Sequence, residues 1–110
     1  MTVVHKELAA GRWAKMPVCE QLANVGSEFG RAINWHSRGD DAHSGKAFER
    51  ALELIDLTIG CASSFARLKE LTRLREAMAD YFAGQNQFGS TDESWERYFT
   101  YFALAARRNK

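Results

Sequence analysis

The stretch 17–39, PVCEQLANVGSEFGRAINWHSRG, decides how the chain folds. Its apolar residues Val18, Leu22, Val25, Phe29 and Ala32, continued by His36, alternate steps of four and three, which is the period of one face of an α-helix. Pro17 is pre-organised for a first turn, and Gly39 stands where a left-handed residue would close the last one. The spacing predicts one long amphipathic helix over residues 17–38.

Two features of this helix ask for an explanation. Gly26 and Gly30 sit in its interior, where each glycine costs about 1 kcal/mol relative to alanine. At about 100° per residue they align with Cys19, Ala23 and Ile33 in a narrow strip of small side chains beside the apolar seam. Such a strip lets another backbone approach closely, whether inside the bundle, across a dimer seam, or against a ligand lying on bare backbone. Trp35 projects from a different side, near Asn24, Glu28 and Arg31. A large aromatic on a polar face is a candidate interface anchor, unless a neighbouring loop or the N-terminal segment, with Trp13, covers it.

Outward from this helix the same period recurs. After RGDDAHSG, a second helix carries Ala47, Phe48, Ala51, Leu52, Ile55 and Ile59 on one face and stops at Gly60, with Asp40, Asp41 or Ser44 as its N-cap. A third begins after Ser63 or Ser64 and presents Leu68, Leu71, Leu74 or Arg75, Met78, Tyr81 and Phe82 before Gly84. The short GCASS connection makes these two an antiparallel hairpin. In GSTDESWERYF, Ser90 and Glu93 have the spacing of a capping box, and the fourth helix runs to about Arg107 with Trp95, Tyr98, Phe99, Phe102 and Ala106 along a stripe. A short extra helix is expected near residues 5–12. No segment alternates with the two-residue period of a strand. The expected fold is all-α, an antiparallel four-helix bundle forming a single domain over residues 1–110.

Composition agrees with this and limits function. With 45% apolar and 26% charged residues, a chain of 110 residues can bury one core without staples. A net charge of +1 provides no global field toward nucleic acid or an anionic membrane. No apolar run approaches the roughly 18 residues of a membrane span, and MTVVHKELAAGRW lacks the apolar centre of a secretory signal, so a cytoplasmic location is expected. Cys19 and Cys61 belong to no CxxC or Cys/His cluster; they read as small buried hydrophobes, with a disulfide between them left open.

Catalytic patterns are scarce. No Glu has a His three residues later, and His5, His36 and His43 form no HxxxH, which removes a di-iron site of the kind bundles host. Phosphate loops, GxGxxG turns and GxSxG elbows are missing from the sequence. Neither a cofactor nor a metal is expected. Basic residues Arg67, Lys69, Arg73 and Arg75 alternate with Glu70 and Glu76, the look of a solvated helix face, so nucleic-acid binding is possible but not favoured.

One stretch, RAINWH, fits R-x4-H and resembles the Arg and His of HEPN domains, all-helical proteins many of which act as metal-independent RNases. The resemblance implies Arg31 stabilising charge on phosphate and His36 moving a proton, in a cleft assembled by two copies. The HEPN pattern lies later in its domain, and in a continuous helix five residues set the two side chains about 140° apart, with His36 toward the core end, partly buried, and Arg31 toward solvent. The segments HKELAAGRW, QLANVGSE, AFERALELIDLTIG and GSTDESWERYF together resemble a small prokaryotic all-helical family that implies a compact helical protein and no particular activity.

The sequence therefore points to a protein-interaction or assembly module rather than a catalyst. Its expected partner is a second copy or another protein, and its candidate contact residues are Gly26, Gly30, Trp35, Trp95 and Tyr101. An RNase or RNA-binding bundle using Arg31 and His36 is the alternative.

Overall fold

The computed structural model describes residues 11–108. Four helices follow one another: α1 (Val18–Ser37), α2 (Asp41–Gly60), α3 (Phe65–Ala83) and α4 (Asp92–Arg108). They form an antiparallel bundle in which α1 packs closely on both α2 and α4, and α2 packs on α3. No strand occurs among the described residues. Residues 11–14 are helical; the greater part of the short helix expected at 5–12 lies outside the described residues.

Local chemistry sets each boundary. The carbonyl of Pro17 accepts from the backbone N–H groups of Glu20 and Gln21, both at 3.0 Å, so α1 starts directly after the proline. Gly39, at φ +80°, closes α1 by donating to the carbonyl of His36, which is the left-handed stop expected there. Asp40 caps α2 by accepting from the His43 backbone N–H, and its carboxyl is held below the usual range first by that bond and then by the His43 ring. Ser64 caps α3 through the backbone N–H of Arg67.

Of the three N-cap candidates for α2 the structure uses Asp40, and the expected cap of α4 is corrected. Ser44 is no cap: it lies inside α2, 2% exposed, and its hydroxyl donates to the carbonyl of Ala32 on α1 at 2.7 Å. The capping box of α4 is shifted by one residue from Ser90/Glu93. The Ser94 backbone N–H donates to Thr91 Oγ1 at 3.0 Å, and the Thr91 backbone N–H donates to Ser94 Oγ at 2.9 Å. Ser90 is occupied elsewhere, since its N–H and carbonyl are both held by the Asn86 side chain.

The core centres on Phe29, which is fully buried and surrounded by aromatic rings from all three other helices. Trp95 meets it edge-on at 4.9 Å between centroids, and Phe48, Phe82 and Phe99 lie at 6.1–6.3 Å. Leu22, Val25, Ala51, Ile55, Leu71, Leu74 and Met78 complete one continuous cluster, which places Leu74 rather than Arg75 on the apolar seam. At the other end of α1, Trp13 is 9% exposed and its indole N–H donates to Thr58 Oγ1 at 3.0 Å, while Gln21 holds the Trp13 carbonyl. Cys19 and Cys61 are half-buried free thiols.

Surface ion pairs tie neighbouring helices. Glu28 on α1 accepts from Arg31 on its own helix and from Arg50 on α2, and Arg75 on α3 reaches Asp56 on α2 at 2.6 Å. The Asp56 carboxylate raises the Arg75 pKa above its ordinary value by accepting that bond. Pairs this exposed are each worth well under about 1 kcal/mol and serve orientation more than stability.

Candidate functional site

The two unexplained glycines of α1 turn out to have different roles. A Cβ on Gly26 would stand 2.5 Å from Cβ and Cγ of Phe99, closer than any real carbon contact, so α4 crosses α1 at this point and Phe99 occupies the missing side chain's space. Gly26 is therefore spent within the bundle. A Cβ on Gly30, one turn later, would meet nothing within 4 Å. Gly30 opens instead into a groove of about 450 Å³ between α1 and α4.

The strip of small residues forms the floor of that groove. Ala23, Gly26, Gly30 and Ile33 line it from α1, and Trp95, Phe99 and Ala103 line it from α4. Polar groups stand along the sides: Ser27, Asn34 and Ser37 on one helix, Asp92, Glu96 and Thr100 on the other. The lining thus holds two carboxylates and no basic side chain. Asp92 accepts a hydrogen bond from the Tyr81 hydroxyl on α3, whereas Glu96 makes no ion pair among the described residues. Burial first, and then the bond to Asp92, push the Tyr81 phenol up to about 12.

Trp95 lies in the core at 6% exposure, between Phe29, Phe99, Tyr81 and Tyr98, and so forms part of the groove wall rather than an outward contact surface. Its indole N–H is buried without a hydrogen-bond partner among the described residues. Gly26, Gly30 and Trp95 are thereby brought to one place. Trp35 and Tyr101 lie elsewhere. Trp35 is half-buried, with the His43 ring of α2 stacked on it at 4.6 Å and the guanidinium of Arg38, in the loop after α1, 5.6 Å from its centroid, whereas Trp13 is bonded to Thr58. Tyr101 is 66% exposed on the outer side of α4.

The Arg31 and His36 side chains are held by different carboxylates. Arg31 pairs with Glu28, which Arg50 also holds, while His36 Nδ1 lies 3.4 Å from Asp41 Oδ1. His36 was expected partly buried toward the core end, yet its side chain is 71% exposed because α1 ends one residue later and only the edge of Phe82, at 6.0 Å, stands beside it. Neither residue has a resolved contact with the other.

Several residues with a claim to function were not singled out from sequence. On α4, Asp92, Glu96, Phe99, Thr100 and Ala103 follow a helical period, but which neighbour that face meets depends on the bundle arrangement. Phe65, at 79% exposure, Phe88, at 60%, and Leu104, at 49%, are apolar side chains left facing solvent. Phe88 stands in a locked loop: the Asp80 carboxylate accepts from the backbone N–H groups of Gln87 and Phe88, and Asn86 adopts φ 53°.

Among the described residues no group of three or more His, Cys, Asp or Glu is placed to hold a metal ion, and no helix is long and apolar enough to cross a membrane. Comparison of the chain with family models, with curated proteins and with solved structures finds no match, so the geometry above is the whole basis for a functional reading.

Proposed function

We propose that this protein is a non-enzymatic interaction module that pairs with a second copy of itself through the outer face of α4, acting in the cytoplasm, where free thiols such as Cys19 and Cys61 persist. The observation that carries this reading is that α4 is apolar on two sides. Trp95 and Phe99 satisfy the core, yet Tyr98, Tyr101 and Leu104, spaced by three, remain 37%, 66% and 49% exposed. A helix of an isolated bundle needs one apolar stripe; a second one marks a surface that another protein covers.

The patch extends across the end of the bundle. The charges of Glu70 and Arg67 on α3 both act on the Tyr98 phenol, whose pKa is raised chiefly by burial, so the first turns of α3 lie near Tyr98 toward the middle of α4. Phe65 and the 39% exposed Leu68 begin α3 at that same end. Tyrosine and phenylalanine suit such a surface because they bring large contact area at low entropic cost.

Light scattering across a concentration series tests the proposal. The wild-type chain should rise from monomer to dimer mass, and Tyr101→Glu with Leu104→Glu should hold it at monomer mass with unchanged helical circular dichroism. A wild-type protein that stays monomeric at high concentration would overturn the self-association. The competing RNase activity is tested with mixed RNA: no cleavage is expected, and cleavage abolished by both Arg31→Ala and His36→Ala would replace this proposal.

A further inference from the structure

The α1–α4 groove lies apart from the outer face of α4 and invites a separate question. Two interior positions of α1 that lack a large side chain have a close neighbour: Ala32 receives the Ser44 hydroxyl on its carbonyl, and Gly26 receives Phe99. Gly30 has no such neighbour. Nothing among the described residues requires a bare backbone there, although glycine at a helix interior is unfavourable by about 1 kcal/mol.

We propose that the groove binds a small organic cation with an apolar body, an alkyl- or arylalkyl-ammonium. Its volume, about 450 Å³, falls within the range of small-ligand sites, and its floor of Gly30, Ile33 and Phe99 offers apolar surface. The charge of the occupant follows from the walls. Asp92 and Glu96, one helical turn apart on α4, are the only ionised groups in the lining among the described residues. Asp92 is engaged by Tyr81, which leaves Glu96 as the carboxylate available to an incoming ammonium group. Asn34 and Thr100, from facing helices, add oxygens that accept its remaining N–H donors. An anionic ligand would meet two like charges and no cation. A neutral ligand would gain no charge pairing from the exposed Glu96 carboxylate.

The test uses the full chain and 2-phenylethylammonium as probe, followed by ¹⁵N–¹H correlation spectra, with phenylacetate and 2-phenylethanol as anionic and neutral controls of similar body. The ammonium compound should give saturable shifts at the Gly30 and Glu96 amides and the Trp95 indole N–H, binding up to roughly fivefold more tightly than the neutral control, the most that one exposed charge pair supplies. Phenylacetate should not saturate. Glu96→Gln should reduce the ammonium affinity to that of the alcohol. Gly30→Leu, whose side chain enters open space and relieves the glycine's helix penalty, should leave the fold intact and abolish binding. No saturable shift at millimolar probe, equal binding of amine and carboxylate, or undiminished binding by Gly30→Leu would each overturn the proposal.

Discussion

Replacing Gly26 and Gly30 separately with alanine should move stability in opposite directions, although the two residues share one helix and lie a single turn apart. At Gly26 the new Cβ would start 2.5 Å from Cβ and Cγ of Phe99. Optimal carbon contact is about 3.5 Å, so α1 and α4 must separate locally by roughly 1 Å, which already forfeits up to half of the dispersion energy across the crossing. The obstructing atoms are next to the Phe99 backbone rather than at the end of a flexible chain, and Phe99 is itself clamped by Phe29, Trp95 and Tyr98. Overpacking of this kind costs about 3 kcal/mol at the upper end of its usual range. The gain in helix propensity offsets about 1 kcal/mol. The net expectation is a loss of about 2 kcal/mol, or roughly 9 °C in Tm for a chain of this size. Gly30→Ala meets no atom within 4 Å and keeps only the gain, about 0.5–1 kcal/mol, or roughly 2–4 °C. Urea titrations followed by circular dichroism would measure both. The Gly26→Ala penalty should shrink only in part in a Phe99→Ala background, which removes the ring but keeps the Cβ at 2.5 Å, and should shrink further in a Phe99→Gly background. Equal stabilisation by both alanines would refute the crossing at Gly26.

Two further predictions concern hydroxyl groups. Thr58→Val leaves the Trp13 indole N–H without its acceptor in a site where Trp13 is 9% exposed, and should lower unfolding free energy by about 1–3 kcal/mol, with Thr58→Ser restoring most of it; a neutral valine would show that Trp13 is held by packing alone. Tyr81 keeps its proton in the folded chain up to about 12 but loses it near 10 when unfolded, so the stability it contributes is complete below about pH 10 and is lost as pH rises toward 12. The difference in stability between wild type and Tyr81→Phe should therefore narrow over that interval, and a difference constant with pH would remove the assigned shift.

The helices were legible in the sequence because their cause is local. Steps of three and four, Gly39 at a left-handed position and Ser64 as a cap each depend on residues within one or two turns. Reading became less secure wherever a distant element decides. Thr91 and Ser90 are equally good caps in isolation, and the structure uses Thr91 because Asn86 has already taken the backbone of Ser90. Ser44 looked like a helix start until α1 supplied the carbonyl of Ala32 as its acceptor. The same division runs through the candidate site. The small strip on α1 was visible, and so was the possibility that a helix crosses it. That α4 fills the space at Gly26 but not at Gly30 follows from the line along which two helices remote in sequence meet. For that reason neither the groove nor Glu96 could be assigned from the chain alone.

The contact between Gly26 and Phe99 joins the first and last of the described helices. During synthesis the glycine face of α1, together with the side of Phe29 that Trp95 and Phe99 cover, stays unprotected until α4 has left the ribosome. The α1–α2–α3 portion can collapse earlier through Leu22, Ile55 and Met78, but it carries an open aromatic flank while it waits. Closure by α4 is thus a late event of high sequence separation, and the interval before it is when this chain is most exposed to aggregation or to capture by a chaperone.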